Sequence, residues 1–394
     1  MRSHLKVFIT VLARFFREAD IMLFSLAIIC AIYGLVLISS VPEAFRHGAQ
    51  IGVQVGAIII GLMLFVLFSY FDIDIIADKS RFLYLGSVLF MMTLVFWGVG
   101  AVAGEGDASI IGRTSWLRFG GIGVQPGEVV KIPFIIIISR MIASYKERKT
   151  IDSFQAVAKI GIVAGSMIVV VFYTSRDLGT VLTYFFIFTM LLLIGGIKLR
   201  WFLLGGTLLA IVARFAWYSD LLTDNHRARL MAPFVYYGDI DPDRLDVLWQ
   251  TDWSVRAISS GEFLGQGIGS GTVTRSGMLP FQHTDFVFSV AGEELGFVGV
   301  VLIVLLLVVM IVRCIGVGIK SNNSLGMLVC SGVAATIMTH MILNIGMNLG
   351  RLPVIGVPLP FFSYGGSSIV TFFAGLGLVS GIKMRPKPAR FKML

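Results

Sequence analysis

Charge is scarce in this chain: Asp, Glu, Lys and Arg make up 14% of its 394 residues, whereas 56% are hydrophobic. The apolar residues fall in blocks near 20 long, enough to cross about 30 Å of hydrocarbon, so the composition describes a polytopic membrane protein. Cysteine is also rare. Cys30, Cys314 and Cys330 are scattered in or beside apolar segments, which excludes a disulfide framework and metal-ligand spacing. The sequence has no Walker loop, no cluster with metal-ligand spacing, no low-complexity tract, no clear internal repeat and no soluble domain. The first apolar run is not followed by a small-residue cleavage site, so it reads as a retained span.

What is present is a series of ten predicted spans, near 21–40, 51–71, 82–102, 127–145, 157–174, 177–196, 201–219, 286–312, 325–349 and 366–384. The expected fold class is all-α, a polytopic transmembrane helix bundle in one domain over 1–394, with a large extracytoplasmic loop, 220–285, between spans 7 and 8. Leu5, Phe8, Leu12 and Phe15 recur at helical spacing among basic residues, so 1–20 is expected to lie on the inner surface. The tail 385–394 is basic. Lysines and arginines such as Lys79, Arg81, Lys146, Arg148, Lys198, Arg200, Arg313 and Lys320 collect on one side, which puts both termini in the cytoplasm and the net charge of +9 mostly inside.

Lysine is missing from the outer loops, whose cations are all arginine: Arg46, Arg113, Arg118, Arg176, Arg227, Arg229, Arg244, Arg256, Arg275 and Arg351. A planar guanidinium suits bidentate contact with phosphate or carboxylate; each arginine taken singly reads first as a partner of a loop carboxylate such as Asp224, Asp239, Asp241 or Asp243, and the set is more informative than its members. The one lysine near that face, Lys131, lies three residues after Glu128 in GRTSWLRFGGIGVQPGEVVKIP. The pair reads either as a helix start or, because an intramembrane lysine usually faces a polar cavity, as a ligand contact. Asp177, in SRDLGTVL, is most simply an N-cap. Gly265, Gly267, Gly269 and Gly271 alternate in a loop with the wrong spacing for a dinucleotide fingerprint, and read as close backbone approach. His340 and Asn344, one turn apart in the ninth span, read as interhelical hydrogen-bonding residues. Pro353, Pro358 and Pro360 forbid a regular helix before the last span.

The sharpest puzzle is FQHTDFVFSVAGEELGFVGVVLIVLLLVVMIV, residues 281–312, which is apolar enough to span yet has Asp285 at its mouth and Glu293 and Glu294 inside. Asp285 reads as a helix cap, with Thr284 as rival, or as a general base whose pKa is raised by partial desolvation. Glu293 and Glu294 follow about 12–14 Å along a helix, too far to share its proton. They are expected to pair with cavity cations or to shape an acceptor path.

Together, SWLRFGGIGVQPGEVVK, DLGTVL, HTDFVFSVAGEELGFVG and LPVIGVPLPFFSYGGSS resemble the SEDS family of RodA and FtsW over nearly the whole chain, and NIGMNLGRLPVIGVPLPFFSYGGSS with the short tail looks more like RodA. The chain departs from the family pattern at Gly127, where a serine is usual, and at Ser175-Arg176, where Gln-Pro is common. The resemblance implies a peptidoglycan glycosyltransferase that joins lipid II units on the outer membrane face, releases undecaprenyl pyrophosphate and serves cell elongation. It also implies a class B penicillin-binding protein as partner, with other elongation-complex membrane proteins. Asp285 is then the expected catalytic base, with Lys131, Glu128, Arg113, Arg118, Trp116, Glu293, Asp177, Ser363 and Tyr364 as the substrate-binding set. No cofactor is expected, although a divalent cation is compatible. A lipid-precursor transporter and a non-catalytic scaffold are the rival classes: a transporter would place its site at the midplane between repeats, whereas the special residues here crowd one face.

Overall fold

The computed structural model describes residues 14–46, 50–99, 115–119, 122–219, 227, 230–234, 245–321 and 323–385. The ten predicted spans correspond to ten helices: α1 (Ile21–Ser40), α2 (Ile51–Ser69), α3 (Ser80–Trp97), α4 (Lys131–Glu147), α5 (Phe154–Ser175), α6 (Leu178–Gly195), α7 (Leu199–Tyr218), and, after the loop helix α8 (Leu245–Ser260), α9 (Val287–Lys320), α10 (Ser324–Asn348) and α11 (Gly366–Met384). Eight of them are long and apolar enough to cross a membrane, and the chain is an integral membrane protein. Four starts carry side-chain caps: Asp177, as expected, and Asp20, Ser153 and Asn323 each accept a bond from a first-turn N–H of the helix they open.

Two helices form the centre. The apolar windows of α10 and α11 are 78% and 89% buried, whereas those of the other candidate spans are 39% buried or less. Helix α11 lies against α2 at close range. A Cβ at Gly377 would stand 2.5 Å from the Phe65 carbonyl oxygen, and one at Gly381 would stand 2.8 Å from that of Ser69. Small residues one turn apart thus bring the two backbones together, as membrane helices do when no hydrophobic force drives them.

At one end of the bundle, buried Asp20 accepts from Arg313 at 2.8 Å and lies 3.4 Å from Lys383, joining α1, α9 and α11. The eighth span therefore runs past its expected end at 312, through Arg313 to Lys320. At the opposite end a short hairpin adds to the helical plan: β1 (Leu117–Phe119) pairs antiparallel with β2 (Ile122–Val124). Ser367 fastens it to α11, accepting from Gln125 N at 2.9 Å and donating to Gly123 O at 3.3 Å.

Helix α9 is two segments joined at Gly296, whose φ of 65° and ψ of −161° are not helical. The broken ladder is repaired by the glycine-rich loop. Gln266 N and Gly267 N donate to the carbonyls of Glu293 and Glu294, and Phe297 N and Val298 N donate to those of Glu262 and Phe263, at 2.9–3.3 Å. Irregular backbone at membrane depth is tolerated only where other backbone or side chains satisfy it in this way. Glu293 and Glu294 thus precede the unbroken span rather than lying within it.

Candidate active site

Gln125 opens a single helical turn, Pro126–Val129, that leads into α4. Its geometry puts Glu128 and Lys131 on one side, three residues apart, with Lys131 Nζ 2.5 Å from Glu128 Oε1. The ammonium also lies 2.8 Å from His340 Nε2 on α10. Since an ammonium only donates, His340 Nε2 accepts, and the ring proton sits on Nδ1, which donates to Pro358 O at 3.0 Å. Lys131 is 1% exposed and Glu128 3%, so this is a buried ion pair braced by an imidazole. A cavity of about 20 Å³, the size of one water, lies between Glu128, Asp177, Thr180, His340 and Pro358. Asp177 caps α6 from the cavity's side, accepting from Gly179 N at 3.1 Å and Thr180 Oγ1 at 2.9 Å. A Cβ at Gly127 would stand 3.0 Å from Thr180 Cγ2, so the glycine fits where a serine would crowd.

Asp285 is half-buried in the turn before α9. The N-cap of α9 is Phe286, without a side-chain cap bond, so neither Asp285 nor Thr284 caps this helix. The turn is held from outside. Tyr364 N donates to His283 O (2.9 Å), Ser363 Oγ to Thr284 O (2.5 Å), and the side chains of Asn344 and Asn348 to Asp285 O (2.9 and 3.0 Å). Ser363 is buried and also accepts from Leu359 N, while its own carbonyl takes a bond from Gln54. Burial raises the Tyr364 hydroxyl above the ordinary phenol range, opposed by a backbone bond from Gln50, so it is a proton donor at neutral pH.

Along α10, His340, Asn344 and Asn348 form a wholly buried polar stripe at intervals of one turn. His340 touches Lys131, and Asn344 touches the Asp285 carbonyl. At 1.5 Å per residue those two contacts are separated by about 6 Å along the helix, which brings the buried pair and the aspartate into one region. Both were legible as polar residues within a span, and the stripe explains why they are there.

Other expected residues lie elsewhere. Glu293 takes its bonds from Val273 N, Thr274 N, Thr272 Oγ1 and Thr274 Oγ1 at 2.6–3.1 Å, so amides and hydroxyls replace the expected cation and the carboxylate anchors the Thr272–Ser276 turn. Trp116 is half-buried, with Gly123 beneath its ring, and Arg118 is exposed on β1. Arg113 lies outside the described residues. Among the described residues no group of His, Cys, Asp and Glu is arranged to hold a metal ion.

Residues 20–387 match the FtsW/RodA/SpoVE family of cell cycle proteins. The chain belongs to that family. It is 30% identical over 381 residues to the probable peptidoglycan glycosyltransferase FtsW of Bacillus subtilis, covering 92% of this chain and 90% of the relative. To the peptidoglycan glycosyltransferase MrdB of Escherichia coli K12 it is 29% identical over 346 residues, covering 86% and 88%. The two subfamilies are thus equally near, and the closer resemblance to RodA expected from the tail and the proline-rich motif is not resolved by identity. A chain from a solved peptidoglycan synthase complex, described as coordinating polymerization and crosslinking, superposes with a TM-score of 0.75 at 27% identity, covering 93% of this chain and 97% of that one. The crystal structure of RodA from Thermus thermophilus shares the fold, with a TM-score of 0.64 at 23% identity over 93% and 96% of the two chains.

Proposed function

We propose that this family member is a peptidoglycan glycosyltransferase that polymerises lipid II on the outer face of the bacterial cytoplasmic membrane, with Asp285 as general base. The observation that carries this reading is the construction of the 281–286 turn: three successive carbonyls are bonded by other segments around an aspartate that does no capping. The Asp285 carboxylate takes the proton of the acceptor hydroxyl as that oxygen attacks the anomeric carbon of the donor. The bond to undecaprenyl pyrophosphate breaks, and direct displacement from an α-linked donor gives a β-linked product. Lys131, paired with Glu128, favours the developing negative charge from its buried position, and Arg118 and Arg113 offer guanidiniums to the pyrophosphate. An apolar groove of about 480 Å³ between α3 and α4 is lined by Phe82, Leu83, Phe90, Val129, Val130 and Pro133. It starts beside the Glu128–Lys131 pair and suits the polyprenyl chain.

The proposed orientation puts the Asp20 end and both termini in the cytoplasm, because the basic residues collect there. The proposed partner is a class B penicillin-binding protein. Of the last three helices only α9 keeps a wide apolar face, with Leu302, Leu305, Val312 and Ile319 exposed, so docking falls there and on the outer loops. The proposed elongation role rests on the resemblance of NIGMNLGRLPVIGVPLPFFSYGGSS to RodA.

The test is incubation of the purified protein with labelled lipid II, alone and with its transpeptidase partner, followed by separation of glycan products. Polymer and released undecaprenyl pyrophosphate are expected, with Asp285→Asn slower by about 10²–10⁴-fold. An Asp285→Asn protein that polymerises at the wild-type rate overturns the assignment of the base, and absence of polymer in both conditions overturns the activity.

A further inference from the structure

Asn348 interrupts the start of α9. In a helix begun one residue earlier, Ser289 N–H would donate to Asp285 C=O, four residues back. Here the two groups are bridged by one side-chain amide: Asn348 Oδ1 accepts from Ser289 N at 3.2 Å, and Asn348 Nδ2 donates to Asp285 O at 3.0 Å. The amide therefore occupies the place of a backbone hydrogen bond. Ser289 N–H also reaches Phe286 O at 3.0 Å, and Ser289 Oγ donates to Asn348 Oδ1 at 2.6 Å. Asn344, one turn earlier on α10, supplies a second donor to the same Asp285 carbonyl and a first to Val357 O at 2.8 Å. Ser254, on the loop helix α8, closes the network by donating to Asn348 O at 2.7 Å.

We infer that Asn348 and Asn344 are positioning residues for the polymerisation step: they keep Asp285 out of α9 by inserting an amide into its first hydrogen bond and clamping the freed carbonyl. The inference rests on Asp285 being the base. Asp285 N donates to Phe281 O at 3.0 Å, so both peptide groups flanking its Cα are held and the Cα–Cβ direction is fixed. Without the inserted amide, Ser289 N–H and Asp285 C=O are free to close on each other. Winding Asp285 into the helix would change its backbone dihedrals and so redirect its Cα–Cβ bond. A displacement of about 1 Å at a reacting group costs on the order of 10²-fold.

The test is a kinetic double-mutant cycle on the full-length protein with its transpeptidase partner. Asn348→Val, Asn344→Val and Asp285→Asn are assayed singly and in pairs with labelled lipid II. Asn348→Val is expected to lower kcat about 10²-fold with KM for lipid II unchanged. In the Asp285→Asn background it is expected to cost nothing further, because the residue it positions no longer accepts a proton. Losses that multiply in the double variant overturn the inference, as does an Asn348→Val protein with wild-type kcat. A wild-type rate in Asp285→Asn alone defeats the assignment of the base instead, so the two failures are distinguishable. Where Asn348→Val fails to fold, as judged by thermal unfolding in detergent, Asn344→Val carries the same cycle, and multiplying losses there have the same meaning.

Discussion

A lysine ammonium buried between a carboxylate and an imidazole tolerates little change of shape. Lys131 is a compact charge with one bond to Glu128 and one to His340; a guanidinium is wider and forked and would displace one of them. Lys131→Arg is therefore expected to retain little polymerase activity. Lys131→Ala does something different, since it leaves Glu128 buried and uncompensated, a change that typically costs about 3–5 kcal/mol. Loss of activity in that variant alone would not separate chemistry from folding. Removing both charges does: Glu128→Gln with Lys131→Met is expected to recover thermal stability close to wild type while polymer formation stays low. Unfolding curves and lipid II assays on the same preparations check this, and a stable, fully active double variant would reduce the pair to a structural strut.

At the scale of elements, hydropathy located all ten long helices, because each buries or presents a continuous apolar block. It did not reveal the break in α9. The signal was a glycine after two glutamates, which in a span rich in glycine is not distinctive, and the repair comes from residues some 30 positions away in sequence. The hairpin over 117–124 is also invisible to hydropathy, since three-residue strands leave no period to detect. Within the site, Glu128 with Lys131 and Asp285 could be picked out as charges near or inside apolar runs, and His340 and Asn344 as polar residues a turn apart. That Asn348 substitutes for a backbone partner depends on how α10 lies against the 281–286 turn, which only the folded chain shows. The break makes its own prediction. Gly296 occupies a backbone conformation that is essentially confined to glycine, so Gly296→Ala is expected to destabilise the protein by about 1–3 kcal/mol, read as an earlier thermal transition in detergent.

For the whole molecule, the two ends of the bundle are built for different work. The Asp20 end is tied by ion pairs: Asp20 with Arg313 and Lys383, Asp72 with Arg385, Asp78 with Arg140, and Asp152 with Lys198 and Arg200. The Lys198 bond, aided by Arg200, holds the Asp152 carboxyl below its ordinary range, so this connection stays charged at neutral pH. The opposite end carries the hairpin, the buried pair and the aspartate turn, knitted by neutral amides and hydroxyls around α10 and α11. Charged connections at one end and a buried polar network at the other suit an enzyme whose reaction takes place on one side of the membrane. Its cellular role follows from where that product is laid down. The proposed elongation role predicts that depletion in a rod-shaped source bacterium gives rounded cells; long filaments with unclosed septa would instead assign the protein to division.

The stitched break in α9 also bears on how the protein is made. The chain emerges from the ribosome in order, so residues 262–267 are synthesised before Glu293 to Val298, the groups they will bond. From Phe297 onward α9 is an uninterrupted apolar helix able to enter lipid unaided. The stretch with Glu293 and Glu294 is not, because its open carbonyls and amides need the earlier loop. Biogenesis therefore has a natural order: the second part of α9 is threaded into the bilayer first, and the loop then docks on the exposed break. The same docking brings Glu293 to the Thr272–Ser276 turn that it anchors, so this part of the outer loop is completed only once the span that follows it is in place.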